Sequence, residues 1–580
     1  MANSSPVYKA NLKNLKNNYR SISLLSCTSK VFERHIFNHM YEYFIQNNLL
    51  TQKNSGFKKY DGTVNQLVNM TNKIYEGLDT GHDVCGVFLD ISRAFDRVYH
   101  RGLLYKLEQY GISGKLLKLL ESYLSNRYHR VVINGTSSQW QHINAGVPQG
   151  SILGPLLFLV YINDIVNEIE SDIFLFADDT SILHKINCLN PQKSIDTING
   201  DLSKLFEWSK QWRVTFNPKK TTYMIFRTRQ NCPTYRNINF GGTSLNQVET
   251  HTHLGLTLNS KMTWSDHVDK ICAKAGLRVD CMKRVSSLAP RKSLENIYMT
   301  LVRPILEYAC IIIDNMTEKE SDRLESIQRS AGLICTGGFR RTSSDHLRAE
   351  LGWEKLKTRR KEMRLITLFK MKNSLSPVYL QDLVPKEIGE LTPYGFRHEI
   401  STKIRGIGFN TTFYKSTFLP NTIKDWNELN VNLRTIGNIS LFRKSLRKSL
   451  YKSEAKKLFQ TFSKPMSKHI TQMRMGLSAL RDQLFSYGIV NDPVCQYCFS
   501  EIEDPCHFLL RCSEFSNKQA ELFVDLLEFA PADYWKSMSE ENLTLDLLCG
   551  SQNFDYNTNL QILSCVARYI GRTERFTTTQ

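Results

Sequence analysis

Residues 84–92 read VCGVFLDIS, and residues 172–180 read DIFLFADDT. Each is a short apolar run that ends on aspartate: Asp90 in the first, Asp178 and Asp179 in the second. Runs of this length and composition are consistent with buried strands. The second continues into SILHKI, so two short strands are predicted to meet at Ala177–Thr180. Neighbouring strands in one sheet would bring these carboxylates together, where they repel one another unless divalent cations sit between them. Oxygen-only ligands suit magnesium. Two such ions about 4 Å apart can activate an attacking hydroxyl and stabilise a leaving phosphate oxygen. Turn or helix-capping aspartates are the plainer account. It serves for Asp90 alone. It serves poorly for Asp178–Asp179, where adjacent like charges need a compensating cation.

Outward from these strands the pattern alternates. FERHIFNHMYEYFIQNNLL has apolar residues at helical spacing, and HRGLLYKLEQYG reads as a helix closed by Gly111. HRVVINGTSSQWQHINAG reads as a hairpin, and PQGSILGPLLFLVYINDIVNEI as a loop entering a buried helix. DTINGDLSKLFEWSKQW is helical, and NPKKTTYMIFRTR supplies a turn and a strand. From about residue 265 the chain is mainly helical and basic, most densely at EKLKTRRKEMRLITLFKMK and FRKSLRKSLYKSEAKK. Composition and pattern place weak boundaries near 260, 380 and 480.

The bulk numbers bound the partner class. The 580 residues carry 75 Lys+Arg against 56 Asp+Glu, a formal net charge of +19. Such an excess favours a polyanionic partner through counterion release. Nucleases, ribosomal proteins and membrane-surface proteins share it, so charge does not name the activity. No apolar signal segment opens the chain. The longest apolar run, Ile152–Ile162, is broken by Gly154 and Pro155 and falls short of the ~20 residues a bilayer needs. Most of the 14 cysteines stand alone in apolar stretches, which suggests a reducing compartment.

The order VFLDISRAFD, AGVPQGSILGPLLFLVYINDI, FLFADDT resembles the polymerase motifs of non-LTR retrotransposon reverse transcriptases of the jockey-like kind. The resemblance runs in order from about residue 15 to 370, with weaker echoes to about 515. It implies an α+β right-hand polymerase: fingers and palm over 1–260, helical thumb over 261–380, basic C-terminal connector over 381–480, and zinc module with tail over 481–580. It implies an RNA-directed DNA polymerase of a mobile element, with an RNA template, a DNA primer and dNTPs as partners and two Mg²⁺ ions as cofactors, Mn²⁺ a substitute.

Carried over residue by residue, the resemblance makes Asp90 and Asp178 ligands of both metals. Asp179 assists more peripherally, and the backbone carbonyl of Ile91 completes one coordination sphere. Phe95 matches the aromatic residue that crowds the sugar 2′ carbon; on its own it reads as core packing. Gly146, Pro148, Gln149 and Gly150 match the loop that touches nucleotide and template. Lys58 in SGFKKYDG stands at the arginine of the family's GFR motif and keeps the charge without the bidentate fork. Arg20 in NNYRSISLL matches a usual YRPISLL, with Ser21 in place of proline. Asn217 and Lys220 in FNPKKTT match a basic motif near the active site, with Lys219 the alternative one register away. His253, Leu254 and Gly255 in THLGLTL resemble the turn that grips the primer end. The basic helical region from about 265 to 370 resembles a thumb whose cations track the template–primer backbone, while a solvated helix face accounts for many of its lysines.

Near the end, CQYCFSEIEDPCHFLLRC places Cys495, Cys498, His507 and Cys512 at a spacing that suits tetrahedral zinc, with Cys506 as a competing ligand. Free thiols are the plainer account. The string resembles the C-terminal CCHC of many non-LTR elements. Elements of this family usually carry an endonuclease upstream, and none is read in this sequence, so autonomous transposition by this chain alone is not expected. No RNase H acidic quartet is read. Nuclear action, without secretion or membrane insertion, is the expectation. A catalytically decayed or repurposed nucleic-acid-binding copy and a viral RNA-dependent RNA polymerase are the rival readings; Phe95 and FADD speak for deoxynucleotides against the latter.

Overall fold

The computed structural model describes residues 2–8, 14–15, 18–217, 219–228, 235–338, 342–391, 398–451, 464–551 and 553–576. Contacts group the chain into two units. The first comprises Met1–Asp266, Ile311–Asn315 and Arg364–Ile439. Its leading portion runs β1 (Ala2–Tyr8), β2 (Tyr19–Leu24), α1 (Cys27–Gln46), α2 (Thr63–Asp79), β3 (Asp83–Asp90), α3 (His100–Gln109), α4 (Gly114–Leu124), β4 (Arg127–Ile133), β5 (Thr136–Ser137), β6 (Gln141–Ile143), α5 (Leu153–Ile162), β7 (Asp172–Phe176), β8 (Asp179–Ile186), α6 (Pro191–Gln211), β9 (Thr222–Phe226), β10 (Asn239–Phe240), β11 (Thr243–Ser244), β12 (Asn246–Gln247), β13 (Thr250–His253) and β14 (Leu256–Asn259).

The main sheet has the order β12-β9-β3-β8-β7. β3 is its centre, antiparallel to β8 on one side and β9 on the other. A strand covered on both faces reads as an unbroken apolar run rather than an alternation, which is why residues 84–89 lack a polar face. Cys85, Val87 and Leu89 join Ile173, Leu175 and Ile182 in one core with α1, α5 and α6. On the other face, Val84 lies under α2, where a Cβ on Gly77 would come within 2.5 Å of it. Phe88 stacks on His251 of β13 at 4.0 Å. α5 is buried at nearly every position, so the apolar run 152–162 is a core helix. Among the described residues no helix is long and apolar enough to cross a membrane. A second sheet, β2-β1-β4-β5 with β6 on β4, is closed by β1 lying parallel to β4.

Residues 364–439 group with 1–266, so the contacts do not follow a contiguous division at 260, 380 and 480. The reason lies in α2, whose buried residues occur on more than one side, from Gln66 and Leu67 to Tyr75 and Leu78. The sheet covers one side. The later segment covers another: Phe413 packs on Tyr75 at 5.2 Å, and Asp79 accepts hydrogen bonds from the backbone N–H groups of Asn410 and Thr411.

The second unit comprises His267–Cys310, Met316–Met363 and Ser440–Gln580 and is helical. The helix Glu318–Thr336 opens with a Thr317/Glu320 capping box and ends on Gly337 in the left-handed region. Buried Arg291 bonds to Glu295 and Glu350. A separate core between residues 470 and 570 surrounds Cys495 and Cys512. Of the basic stretch at 442–457, residues 452–457 lie outside the described residues.

Candidate catalytic site

The β7–β8 hairpin turns at Ala177–Asp178, with Ala177 at φ 57° and Phe176 paired with Asp179. Asp179 is also the cross-strand partner of Asp90. Directly opposed residues share a face of the sheet. Asp90 and Asp179 therefore project together, on the face that also carries Phe88, with Asp178 on the adjoining turn. Past Asp90 the chain is held by the segment 215–217: Ser92 N–H donates to the Thr215 carbonyl, Ile91 bridges Phe216, and Asn217 N–H donates to the Asp90 carbonyl at 2.8 Å. The turn that follows brings Lys220 Nζ to 3.6 Å from Asp90 Oδ2. Asn217 shapes that turn by accepting from Lys219 N–H through its Oδ1. Both partners of the Lys220–Asp90 pair are partly exposed, so it contributes at most about 1 kcal/mol to stability. Its meaning is electrostatic: one ammonium stands beside Asp90, whose cross-strand partner is Asp179. The donor set is all oxygen and fits hard divalent cations such as Mg²⁺.

The turn is braced from behind by the loop 53–56. Asn54 bridges Leu175, Ser55 N–H donates to the Leu175 carbonyl, and Leu175 N–H donates to the Lys53 carbonyl, both at 2.9 Å. Asn54 Oδ1 accepts from Gly56 and Ala177 N–H groups. A Cβ on Gly56 would lie 2.4 Å from the Ala177 nitrogen, so only glycine allows this approach. Gln66, buried on α2, donates to the Leu175 carbonyl at 2.7 Å.

The loop Gly146–Gly150 is wedged between β2 and the residues after Asp90. Gly146 N–H donates to the Val98 carbonyl, Val147 N–H to the Phe95 carbonyl, and Ser23 N–H to the Gln149 carbonyl. Gln149 Nε2 donates to Asp96 Oδ1 at 2.9 Å. Burial raises the Asp96 carboxyl above its ordinary range, and the Gln149 bond opposes the shift. Gly146 (φ 91°) and Gly150 (φ 114°) would each put a Cβ 2.6 Å from a backbone oxygen. Pro148 caps the loop through its carbonyl, which accepts from Ser151 Oγ. Phe95 stacks on Phe158 at 4.6 Å and meets Phe57 edge-on. Behind the loop, buried Glu33 of α1 accepts from the N–H groups of Ile152 and Leu153 and anchors the start of α5.

The remaining residues sit as follows. Arg20 is exposed on β2 opposite Val7. Lys58 donates to the Thr51 carbonyl on its own loop; burial lowers its pKa and the nearby Asp61 opposes this. Leu254 (φ 45°) and Gly255 (φ 82°) form the two-residue turn between β13 and β14. His253 is buried beside Phe88, its pKa pulled down to about 3 by burial and by His251, so it is a neutral packing residue. Several cations of the stretch 354–372 are engaged inside the protein. Arg359 pairs with Glu307, Arg360 donates to Ser321, and Arg364 pairs with Asp314 and Asp425.

In the second unit the ligand atoms of Cys495, Cys498, His507 and Cys512 all lie within 4.8 Å of one another. Cys495 and Cys512 sulfurs are 3.9 Å apart, and Cys498 Sγ is 3.4 Å from His507 Nε2. A zinc tetrahedron with bonds of about 2.3 Å has edges of about 3.8 Å, so the set fits that ion. His507 Nδ1 faces Glu501 at 3.3 Å, the outer partner an imidazole ligand needs. Cys506 instead points to Glu540, outside the cluster.

Reading motifs from sequence missed Asn54, Gln66, Asp96 and Glu33. Asp96 lay inside RAFD and Glu33 inside the helical stretch FERHIF; Glu33, like Asn54 and Gln66, acts through backbone contacts that spacing does not reveal.

Residues 7–258 match the family described as Reverse transcriptase (RNA-dependent DNA polymerase). The RNA-directed DNA polymerase from mobile element jockey of Drosophila melanogaster is 30% identical over 328 residues, 53% of this chain and 34% of that protein. The probable RNA-directed DNA polymerase from transposon BS of the same species is 30% identical over 327 residues, 54% and 35%. The chain thus spans about a third of the length of these relatives. Among solved structures, apo telomerase from Candida Tropicalis aligns with a TM-score of 0.35 and 11% identity, covering 65% of this chain and 63% of that one.

Proposed function

We propose, from the premise that residues 7–258 are a reverse transcriptase domain of the jockey-like non-LTR retrotransposon kind, that this chain is the RNA-directed DNA polymerase of a mobile element. It extends a primer 3′-hydroxyl with dNTPs on an RNA template. The observation that carries this reading is the register of β3 on β8, which opposes Asp90 and Asp179 beside Asp178, with Lys220 at 3.6 Å from Asp90.

The carboxylates of Asp90, Asp178 and Asp179, with the Ile91 carbonyl, would hold two magnesium ions. Such ions supply activation of the attacking hydroxyl and neutralisation of the leaving oxygen. The chain's own residues orient and select. Gly146 to Gly150 admit the nucleotide close to the backbone, and Phe95 crowds a ribose 2′-hydroxyl. Arg20, Lys58, Asn217 and Lys220 attract triphosphate and template. The His253–Gly255 turn belongs to a hairpin docked on Phe88, on the face that carries Asp90, and would hold the primer end towards the carboxylates. Catalysis on this plan is positioning and charge compensation.

In right-hand terms, 1–260 is fingers and palm, 261–380 thumb, 381–480 connector, and 481–580 a zinc module with tail. The Cys495, Cys498, His507, Cys512 set has all four positions filled by protein, which suits a structural zinc that grips nucleic acid. Action in the nucleus is part of the same proposal.

Primer extension on an RNA template with Mg²⁺ tests the reading, with Asp178→Ala/Asp179→Ala alongside. Extension with dNTPs that vanishes in the double variant supports it. Tight template–primer binding without extension by the wild type replaces it with a decayed or repurposed binding protein. A preference for rNTPs replaces it with an RNA-dependent RNA polymerase.

A further inference from the structure

The polymerase reading leaves one polar cluster in the first unit unused. Tyr379 lies in the short helix Val378–Gln381, well beyond residue 258 where the matched domain ends. Its hydroxyl donates to Asp61 Oδ1 at 2.7 Å and sits 3.1 Å from Ser55 Oγ. Ser55 belongs to the loop 53–56 that braces the carboxylate turn, and Asp61 lies a few residues further along the same connection. Ser55, 3% exposed, divides its polar groups: its side chain faces Tyr379, and its backbone N–H faces the Leu175 carbonyl. Asn54, on the other side of that bond, reaches the Ala177 N–H. Asp61 also attracts Lys58, one of the cations assigned to the triphosphate. Burial raises the pKa of the Tyr379 hydroxyl, so it remains a donor at neutral pH.

We infer that Tyr379 is a positioning residue for nucleotide addition, whose hydroxyl fixes the loop 53–61 and, through Ser55 and Asn54, the Ala177–Asp178 turn. The inference rests on the polymerase reading. It extends the working apparatus beyond the matched domain, to a residue that the resemblance assigns to the thumb. A tyrosine that merely fills space would give the same packing without ordering the turn. The hydroxyl is what distinguishes the two, because it bonds to both Ser55 and Asp61, adding to the bond those two side chains share. In physical terms the effect is one of preorganisation: a site held within about 0.5 Å of productive geometry depends on the groups behind it.

The test uses the full chain and Tyr379→Phe, which removes one oxygen and keeps the ring. Hydrogen exchange is followed in peptides covering 53–61 and 173–179, beside single-nucleotide extension and melting. We expect the Ser55 and Leu175 amides to exchange about tenfold faster, the factor for one lost hydrogen bond. We expect kcat/KM for dNTP to fall about 10- to 100-fold, the scale of a small misplacement, with template–primer affinity unchanged. Adding Ser55→Ala to Tyr379→Phe should cost little more than either change alone. Wild-type exchange in both peptides overturns the inference, as does a kinetic loss that only follows the melting temperature. A wild type without extension activity sinks the polymerase reading, and the exchange data then decide alone whether Tyr379 holds the turn.

Discussion

A single methyl group at residue 56 tests whether the site depends on the loop behind it. The Cβ of Gly56→Ala would stand 2.4 Å from the Ala177 nitrogen, 3.0 Å from the Phe176 carbonyl carbon and 3.2 Å from the Ala177 Cα. All three are backbone atoms, so no flexible side-chain end can yield. Ordinary contact starts near 3.4 Å, and loop and turn must separate by roughly 1 Å. That stretches the Ser55–Leu175 bond, now 2.9 Å, and the Asn54–Ala177 bond, already 3.4 Å. Overpacking of this kind costs about 1–3 kcal/mol, and each weakened hydrogen bond adds up to about 1 kcal/mol. The kinetic consequence is larger, because a misplacement of about 1 Å at the reacting groups costs on the order of 100-fold. The assay is single-nucleotide extension at saturating template–primer, with melting in parallel. Gly200→Ala is the control: it lies on α6, nothing stands within 4 Å of its Cβ, and it should stabilise by about 0.5–1 kcal/mol with kcat unchanged. Wild-type kcat and melting in Gly56→Ala would refute the idea that the loop presses on the carboxylate turn.

Two further perturbations address specificity and metal. Phe95→Ala opens the rim beside Phe57 and Phe158, and the ratio of kcat/KM for dNTP over rNTP should fall by about 10- to 200-fold, the range a steric pocket supplies; an unchanged ratio in an active variant removes Phe95 from nucleotide selection. Zinc content measured by atomic emission should be one ion per chain in wild type and in Cys506→Ser, and close to none in Cys498→Ser; equal loss in both serine variants would contradict the ligand set.

The carboxylate strands were legible in the sequence because a doubly covered strand and a strand-end charge leave a local signature. VCGVFLD and IFLFADD each state their burial and their polar end within a few residues. The zinc spacing was equally local, except that Cys506 and His507 adjoin, and only the fold shows which of them turns inward. What was not legible acts across the chain. Glu33 sits in an ordinary helical pattern, yet its carboxylate receives two N–H groups from residues 152 and 153. Asn54, Ser55 and Gly56 are a short polar string, and nothing in it announces that their partners are Leu175 and Ala177. Lys58 is a third case. The resemblance supplied a cation for the triphosphate, whereas the structure shows its ammonium bound to the Thr51 carbonyl, a bond it must exchange to reach a phosphate.

The basic charge is another matter that density along the sequence misstates. The stretch 354–372 is among the most basic, and a phosphate-tracking helix was the natural expectation for it. Instead Arg359, Arg360 and Arg364 are turned to internal partners, and Arg291 and Arg575 are likewise buried against Glu350 and Glu503. Losing one partner of such a pair leaves a buried charge and costs about 3–5 kcal/mol, so substitutions there report on folding before they report on nucleic acid. The internal pairs do not lessen the case for a polyanionic partner. The internal ion pairs consume acids along with bases, so the excess of 75 bases over 56 acids is not drawn down by them. With Glu307, Asp314, Glu350, Asp425 and Glu503 spent inside, the ratio of basic to acidic groups outside exceeds that of the whole chain. On the proposed reading, the cations that meet phosphate are therefore to be sought among exposed residues such as Arg20, Lys219 and Lys220, the last of them beside Asp90, rather than where lysine and arginine are densest.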